Sequence, residues 1–434
     1  MQRADNGTEW DVMAGSLQSA LGLMVLIALA WAISERRSAV AWPVVAAGLA
    51  AQFLLALALL KIEIFQDTFS VLNRGVLAVV DATRAGTGFV FGYIGGGDVP
   101  FIVRDDAGST FVLAFESLPL ILVISALSAL LFHWNIMPPI VRGFARVLRQ
   151  TMRVDGPVGV AVTLNIFVGM TEAPIAVRPY LRTESRSALF VIMTAGMGTV
   201  AGSVMVLYAT FLDGIIPNPL GHILTASLIS APAAILTALI MIPGDPDNAG
   251  GTVADHIHFP REEGDNAMAV VTRGTLEGVQ LIINIVAMLI VLVALVTLAN
   301  MAVGLLPDVS GTPLTLQRML GWLMAPFAWL IGIPWEEAFA AGSLLGTKTV
   351  LNELIAYIEF SQLEADALSD RSRLILTYAL CGFANISSIG IMVGALVTMV
   401  PERRADIVRL APRAVISGTL TTLMTGAMVG LIVR

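Results

Sequence analysis

Eight runs of about twenty apolar residues, each long enough to cross a bilayer as a helix, constrain this chain more than any motif does. They fall at 14–33, 39–60, 111–133, 188–212, 219–243, 277–304, 374–399 and 412–433. Within hydrocarbon every backbone polar group needs an internal partner, so segments of this kind fold as helices. Composition agrees, with 56% hydrophobic and 13% charged residues, where a soluble domain carries about 25% charged. The chain therefore reads as an all-α polytopic membrane protein of eight transmembrane helices, with the lipid bilayer as its solvent.

Other apolar segments are interrupted. Residues 62–92 carry Asp67, Asn73, Arg74, Asp81 and Arg84 among hydrophobics, which predicts an amphipathic interfacial helix. Residues 136–153 carry Arg142, Arg146, Arg149 and Arg153 at helical spacing, and 312–331 has similar length and character. Two further segments, 156–183 and 334–360, are too punctuated by Gly, Pro and polar groups to be simple spans, and read as re-entrant hairpins 1 and 2. Four polar residues lie at membrane depth: Glu172 and Glu353 at the hairpin tips, with Lys348 and Asn385 nearby. Charge in hydrocarbon is costly, so such residues face a partner, a cavity or a substrate.

The order span, amphipathic helix, hairpin, broken span, span occurs in 111–243 and again in 277–434. The tips VGMTEAPIA and LGTKTVLNELIA resemble each other. So do AGMGTVAGSV (195–204) and CGFANISSIG (381–390), which set Gly196 opposite Gly382 and Thr199 opposite Asn385. An odd number of crossings separates the halves, so the repeat is inverted, as in secondary transporters. Residues 1–110 form an N-terminal scaffold or peripheral unit and 244–276 a cytoplasmic loop. With both termini outside, inside loops hold fifteen of the 25 basic residues, against nine outside. That bias sets the orientation.

Several functions are excluded. No basic patch with interleaved aromatics suggests nucleic-acid binding. His133, His222, His256 and His258 form no metal-ligand array, the single Cys381 precludes an intramolecular disulfide, and no cofactor is implied. The N-terminus lacks the pattern of a secretory signal. A channel would need repeated polar rings, and an enzyme a nucleophile–base pair; this chain concentrates polarity in two tips instead.

Taken together in register, GMTEAP, TKTVLNELIAY and GFANISSIGI resemble the concentrative nucleoside transporter family in its shorter bacterial form, from about residue 14 onward. The resemblance implies a homotrimer in the inner membrane that imports nucleosides down a sodium or proton gradient, by moving a transport domain against a scaffold. It assigns the ribose to Glu353, Asn385 and Ser388, and the base to Met170, Thr171 and Glu172, walled by Val204 and Phe383. An ionised carboxylate is a strong acceptor for ribose hydroxyls, and an amide both donates and accepts. Glu353 has Lys348, five residues earlier, as an alternative partner. Where the family commonly has glutamine, this chain has Met170, whose thioether is a weak acceptor. The resemblance also maps sodium onto the Asn165 side chain, the Val168 backbone, and Thr199 with Val200. Protonation of Glu172 or Glu353 is the rival coupling mechanism, and a helix cap is the rival role for Asn165.

Overall fold

A computed structural model describes residues 2–102, 110–244, 266–309 and 311–433, and side chains from residue 14 onward. His256, His258, Arg261 and most of the 244–276 loop lie outside the described residues. The described chain is almost wholly helical. It begins with α1 (Gln2–Ala32), α2 (Trp42–Lys61) and α3 (Glu63–Phe91), the last being the expected amphipathic helix. The first repeat follows as α4 (Leu113–Glu116) and α5 (Leu120–His133), then α6 (Met137–Met152). Its hairpin is α7 (Gly156–Asn165), α8 (Ala173–Ala176) and α9 (Arg178–Leu181), and it closes with α10 (Arg186–Gly198), α11 (Gly202–Phe211) and α12 (Pro219–Met241). The second repeat is α13 (Ala267–Val303), α14 (Leu316–Leu330), the hairpin α15 (Trp335–Val350) and α16 (Glu353–Ser361), then α17 (Asp370–Leu380), α18 (Ile386–Met399) and α19 (Arg404–Ile432).

Seven of the eight expected crossings are long and apolar enough to span a membrane. The eighth, 374–399, is split by Cys381–Asn385 into α17 and α18. The span placed at 188–212 is likewise split between Gly198 and Gly202, giving the two broken spans that the repeat requires. Two starts differ from expectation: α13 begins at Ala267, ten residues before 277, and α19 at Arg404, eight before 412. The first turns of α13 carry Arg273 and Glu277, which end a hydropathy run without ending a helix.

Burial separates inner from outer elements. The membrane segments of α10–α11, α12 and α19 are 89, 83 and 78% buried, whereas α13 is 6% buried and packs chiefly along α5. In α6 the stripe Pro138, Val141, Ala145, Leu148 and Met152 is buried at helical spacing. At one end of the molecule Glu35 holds both Arg186 and Arg413, and Arg36 donates to the Pro243 carbonyl at 3.0 Å. At the other end Arg371 donates to the carbonyls of Gly332, Gly430 and Val433.

The two breaks meet at the centre. A Cβ added to Gly382 would lie 2.5 Å from the Thr422 methyl and 3.0 Å from the Met197 carbonyl oxygen. The Phe383 amide crosses to the Thr199 carbonyl at 3.3 Å. Only glycine admits this approach of backbone to backbone.

Gly382→Ala should destabilise the detergent-solubilised protein by about 1–3 kcal/mol through overpacking, measured by denaturation, while Gly75→Ala, which meets open space, should not. A second expectation concerns the loop after α9. Burial and then the nearby Asp155 push the Glu184 carboxyl up to about 7, against the pull of Arg403. The folded chain thus binds this proton more readily than the unfolded chain, so stability falls as pH rises from about 4.5 to 7. Glu184→Gln should flatten that part of the pH–stability curve.

Candidate functional site

Each break is built by local capping chemistry. Asn352 has extended backbone, and its side chain accepts from the Ile355 amide at 2.9 Å, starting α16. Glu353 is therefore the first residue of that helix, where the dipole favours a carboxylate. Asn385 caps α18 in the same way, its Oδ1 accepting from the Ser388 amide at 2.8 Å and from the Ser387 hydroxyl at 2.6 Å. Capping uses only the oxygen, so the amide nitrogen is left to donate elsewhere.

It donates to Glu353. Asn385 Nδ2 lies 2.8 Å from Glu353 Oε2, and Tyr208 OH lies 2.6 Å from Oε1. All three side chains are buried, at 4% exposure for Glu353 and 1% for the others. A carboxylate offers about four acceptor positions, so two protein donors leave it able to accept further hydroxyls. The Tyr208 ring stacks on Tyr357 with centroids 4.9 Å apart, and Tyr357 OH donates to the Thr377 carbonyl at 2.8 Å. This links α11 of the first repeat to α16 and α17 of the second.

Lys348 does not take the place suggested by its sequence proximity. The chain turns at Leu351 and Asn352, and the ammonium makes its hydrogen bonds elsewhere than to Glu353. It donates to the Ala379 carbonyl at 2.9 Å and to Thr422 Oγ1 at 2.8 Å, with 2% exposure.

On the first hairpin, Asn165 ends α7 and is 3% exposed. Its Nδ2 donates to Thr199 Oγ1 at 2.5 Å and to the Ala195 carbonyl at 2.8 Å. Its Oδ1 is buried with no hydrogen-bond partner. An acceptor stranded in this way costs about 1–3 kcal/mol, unless it ligates a cation. Asn165 caps no helix N-terminus here, but its amide reaches a last-turn carbonyl of α10. Thr199 and Val200 are fully buried at the break, and the Val200 amide donates to Ser227 Oγ at 3.4 Å; Val168 is half-buried at the tip.

Three comparisons with known proteins bear on this arrangement. Residues 21–94 and 222–430 match models described as the N-terminus and C-terminus of Na+ dependent nucleoside transporters, and residues 114–214 match one described as nucleoside recognition. The nucleoside permease NupC of Helicobacter pylori is 32% identical over 96% of this chain and 98% of its own. Human sodium/nucleoside cotransporter 1 is 33% identical over 96% of this chain and 64% of its own. This chain belongs to the concentrative nucleoside transporter family. Its relatives are transporters, not enzymes. The solved structure of CNTnw in an inward-facing substrate-bound state superposes with a TM-score of 0.86 at 35% identity, covering 96% of this chain and 98% of that one. Substituted variants of CNTnw have also been solved in outward-facing and intermediate states.

Within this member of the family the expected residues divide into groups. Glu353 and Asn385 are joined directly, and so are Asn165 and Thr199. Ser388 is buried beside them and contributes its amide to the cap, while the neighbouring Ser387 supplies the hydroxyl that meets Asn385. Val204 is buried one helical turn before Tyr208, and Phe383 is half-buried at the break. Met170 is buried against Gly196, where an added Cβ would lie 2.9 Å from the Met170 Cβ. Thr171 is half-buried. Glu172 is exposed, makes no hydrogen bond to the Glu353 cluster, and turns its Oε2 back toward Gly169 of its own tip. Tyr208 and Tyr357 were not among the expected residues. The available signal was spacing, since Tyr208 follows Val204 by four residues and shares its helix face.

Tyr208→Phe keeps the ring and deletes the donor to a buried carboxylate, a bond worth roughly 1.5–3 kcal/mol. Uridine uptake efficiency should fall at least about tenfold in proteoliposomes; an unchanged value would show that the phenol has no part in the site.

Proposed function

We propose that this chain is a sodium-driven symporter that imports nucleosides across the inner membrane as a homotrimer with both termini outside. Glu353, Asn385 and Ser388 receive the ribose. Met170, Thr171 and Glu172 face the base, with Val204 and Phe383 as its apolar walls. The observation that carries the sugar assignment is the buried Glu353 carboxylate, held by one donor from each repeat and still able to accept. A cis-diol matches that remaining capacity. Met170 offers the base edge no amide, so recognition there depends on apolar contact.

The stranded Asn165 oxygen favours sodium over a proton. Sodium is coordinated by neutral oxygens at the broken ends of helices, and Asn165, Val168, Thr199 and Val200 supply such a setting. A proton would instead need a titrating carboxyl, and an amide oxygen is too weak a base to hold one. The gathering of Arg36, Arg186 and Arg413 at one end supports placing that end in the cytoplasm. The inner elements α10–α12 and α17–α19, with both hairpins, form the moving unit of an elevator. The α5–α13 pair is the fixed scaffold against which it slides. The inward-facing, intermediate and outward-facing forms of CNTnw support alternating access of this kind.

Glu353→Gln removes the charge while keeping size. Sodium-driven uridine uptake by this variant should drop by more than about tenfold, with trimer assembly intact by size-exclusion chromatography. Uptake at the parental rate refutes the ribose assignment.

A further inference from the structure

The two hairpins approach the broken spans with similar geometry, one through a neutral amide and the other through an ammonium. In the first repeat Asn165, at the end of α7, reaches the last-turn carbonyl of Ala195 in α10 at 2.8 Å. In the second repeat Lys348, in the last turn of α15, reaches the last-turn carbonyl of Ala379 in α17 at 2.9 Å. Both carbonyls lie at the negative end of a half-helix. A threonine hydroxyl completes each arrangement: Thr199, 2.5 Å from Asn165 Nδ2, and Thr422, 2.8 Å from Lys348 Nζ. What remains differs. Asn165 leaves an acceptor without a donor, whereas Lys348 supplies a positive charge of its own.

We propose that Lys348 is a resident counter-cation, filling in the second repeat the place that the coupling ion takes in the first. This inference rests on the sodium-coupled reading above. Charge supports it independently of geometry. With Glu172 and Glu353 ionised and Lys348 protonated, the two tips carry two negative charges and one positive. One negative charge is left, which a single sodium cancels when the uncharged nucleoside is bound. Movement of a neutral assembly avoids the cost of exposing net charge to hydrocarbon. If Lys348 served only to tether hairpin 2 to α17 and α19, a neutral donor would suffice. A buried ammonium whose hydrogen bonds go to two neutral acceptors is a more expensive tether than a neutral donor, even with the Glu353 charge nearby.

The test uses the full chain, in proteoliposomes and in detergent. The unmodified protein should move about one net charge per nucleoside. A ratio near two would overturn the proposal, whereas sodium-independent uptake would overturn the sodium reading beneath it. Lys348→Gln keeps a donor and deletes the charge. Its sodium-dependent thermal stabilisation should steepen, from a Hill slope of about one to about two, as a second sodium replaces the lost cation. This measurement needs no transport, so a variant that binds but cannot move still reports. Lys348→Arg retains the charge and should keep the slope near one; a slope near two in that variant overturns the proposal without recourse to Lys348→Gln. An unchanged slope in folded Lys348→Gln, the result for a simple tether, sinks the proposal.

Discussion

A helix broken within lipid can be satisfied only by protein; here one hydrogen bond joins the two breaks, and the hairpins and α12 supply the other partners. The Phe383 amide crosses to the Thr199 carbonyl, and Gly382 lies against Met197, so the irregular backbone of both repeats is sealed at one crossing point. The polar chemistry follows from this. Half-helix ends that would be liabilities become the positions of Asn385, Glu353 and Asn165, each at a helix terminus. The site is thus a consequence of how the two breaks are covered, and not an addition to a finished fold.

Magnitudes indicate why Glu353 is held by neutral groups. Burying a carboxylate costs several kcal/mol even after relaxation. Two hydrogen bonds to its charged form return roughly 1.5–3 kcal/mol each, and the α16 terminus adds about 0.3–1 kcal/mol. These terms come near to balancing, leaving a carboxylate that is tolerated but not saturated. An ion pair with Lys348 would quench the negative charge more strongly and weaken its attraction for hydroxyls. With the ammonium donating to Ala379 and Thr422 instead, the Glu353 oxygens are left to Tyr208 and Asn385.

The parts of this site legible in the sequence were those that violate their surroundings. Glu353 and Asn385 are conspicuous because polar groups in apolar runs need a reason, whereas Asn165 came only through the family resemblance. The breaks at 199–201 and 381–385 were marked by glycine and by the repeat. Tyr208 was hidden because an aromatic residue in an apolar run resembles ordinary packing, and its hydroxyl gains meaning only once α11 meets α16. Lys348 was misleading for a related reason. Five residues of separation suggest a pair with Glu353, yet the turn at Leu351–Asn352 reverses the chain between them. The Ser387–Ser388 division depends on a single cap geometry, which spacing alone does not fix. The start of α13 was missed because hydropathy marks where lipid begins, whereas helical hydrogen bonding continues through Arg273 and Glu277.

The fully buried Cys381 sits where α17 ends, its thiol between Ser227 and the Ile223 carbonyl of α12. As the chain's sole sulfhydryl, it gives the protein an intrinsic probe at the seam between its halves. Any alkylating reagent that reaches this sulfur must first have parted the crossing, so its rate of modification times that opening without an engineered label.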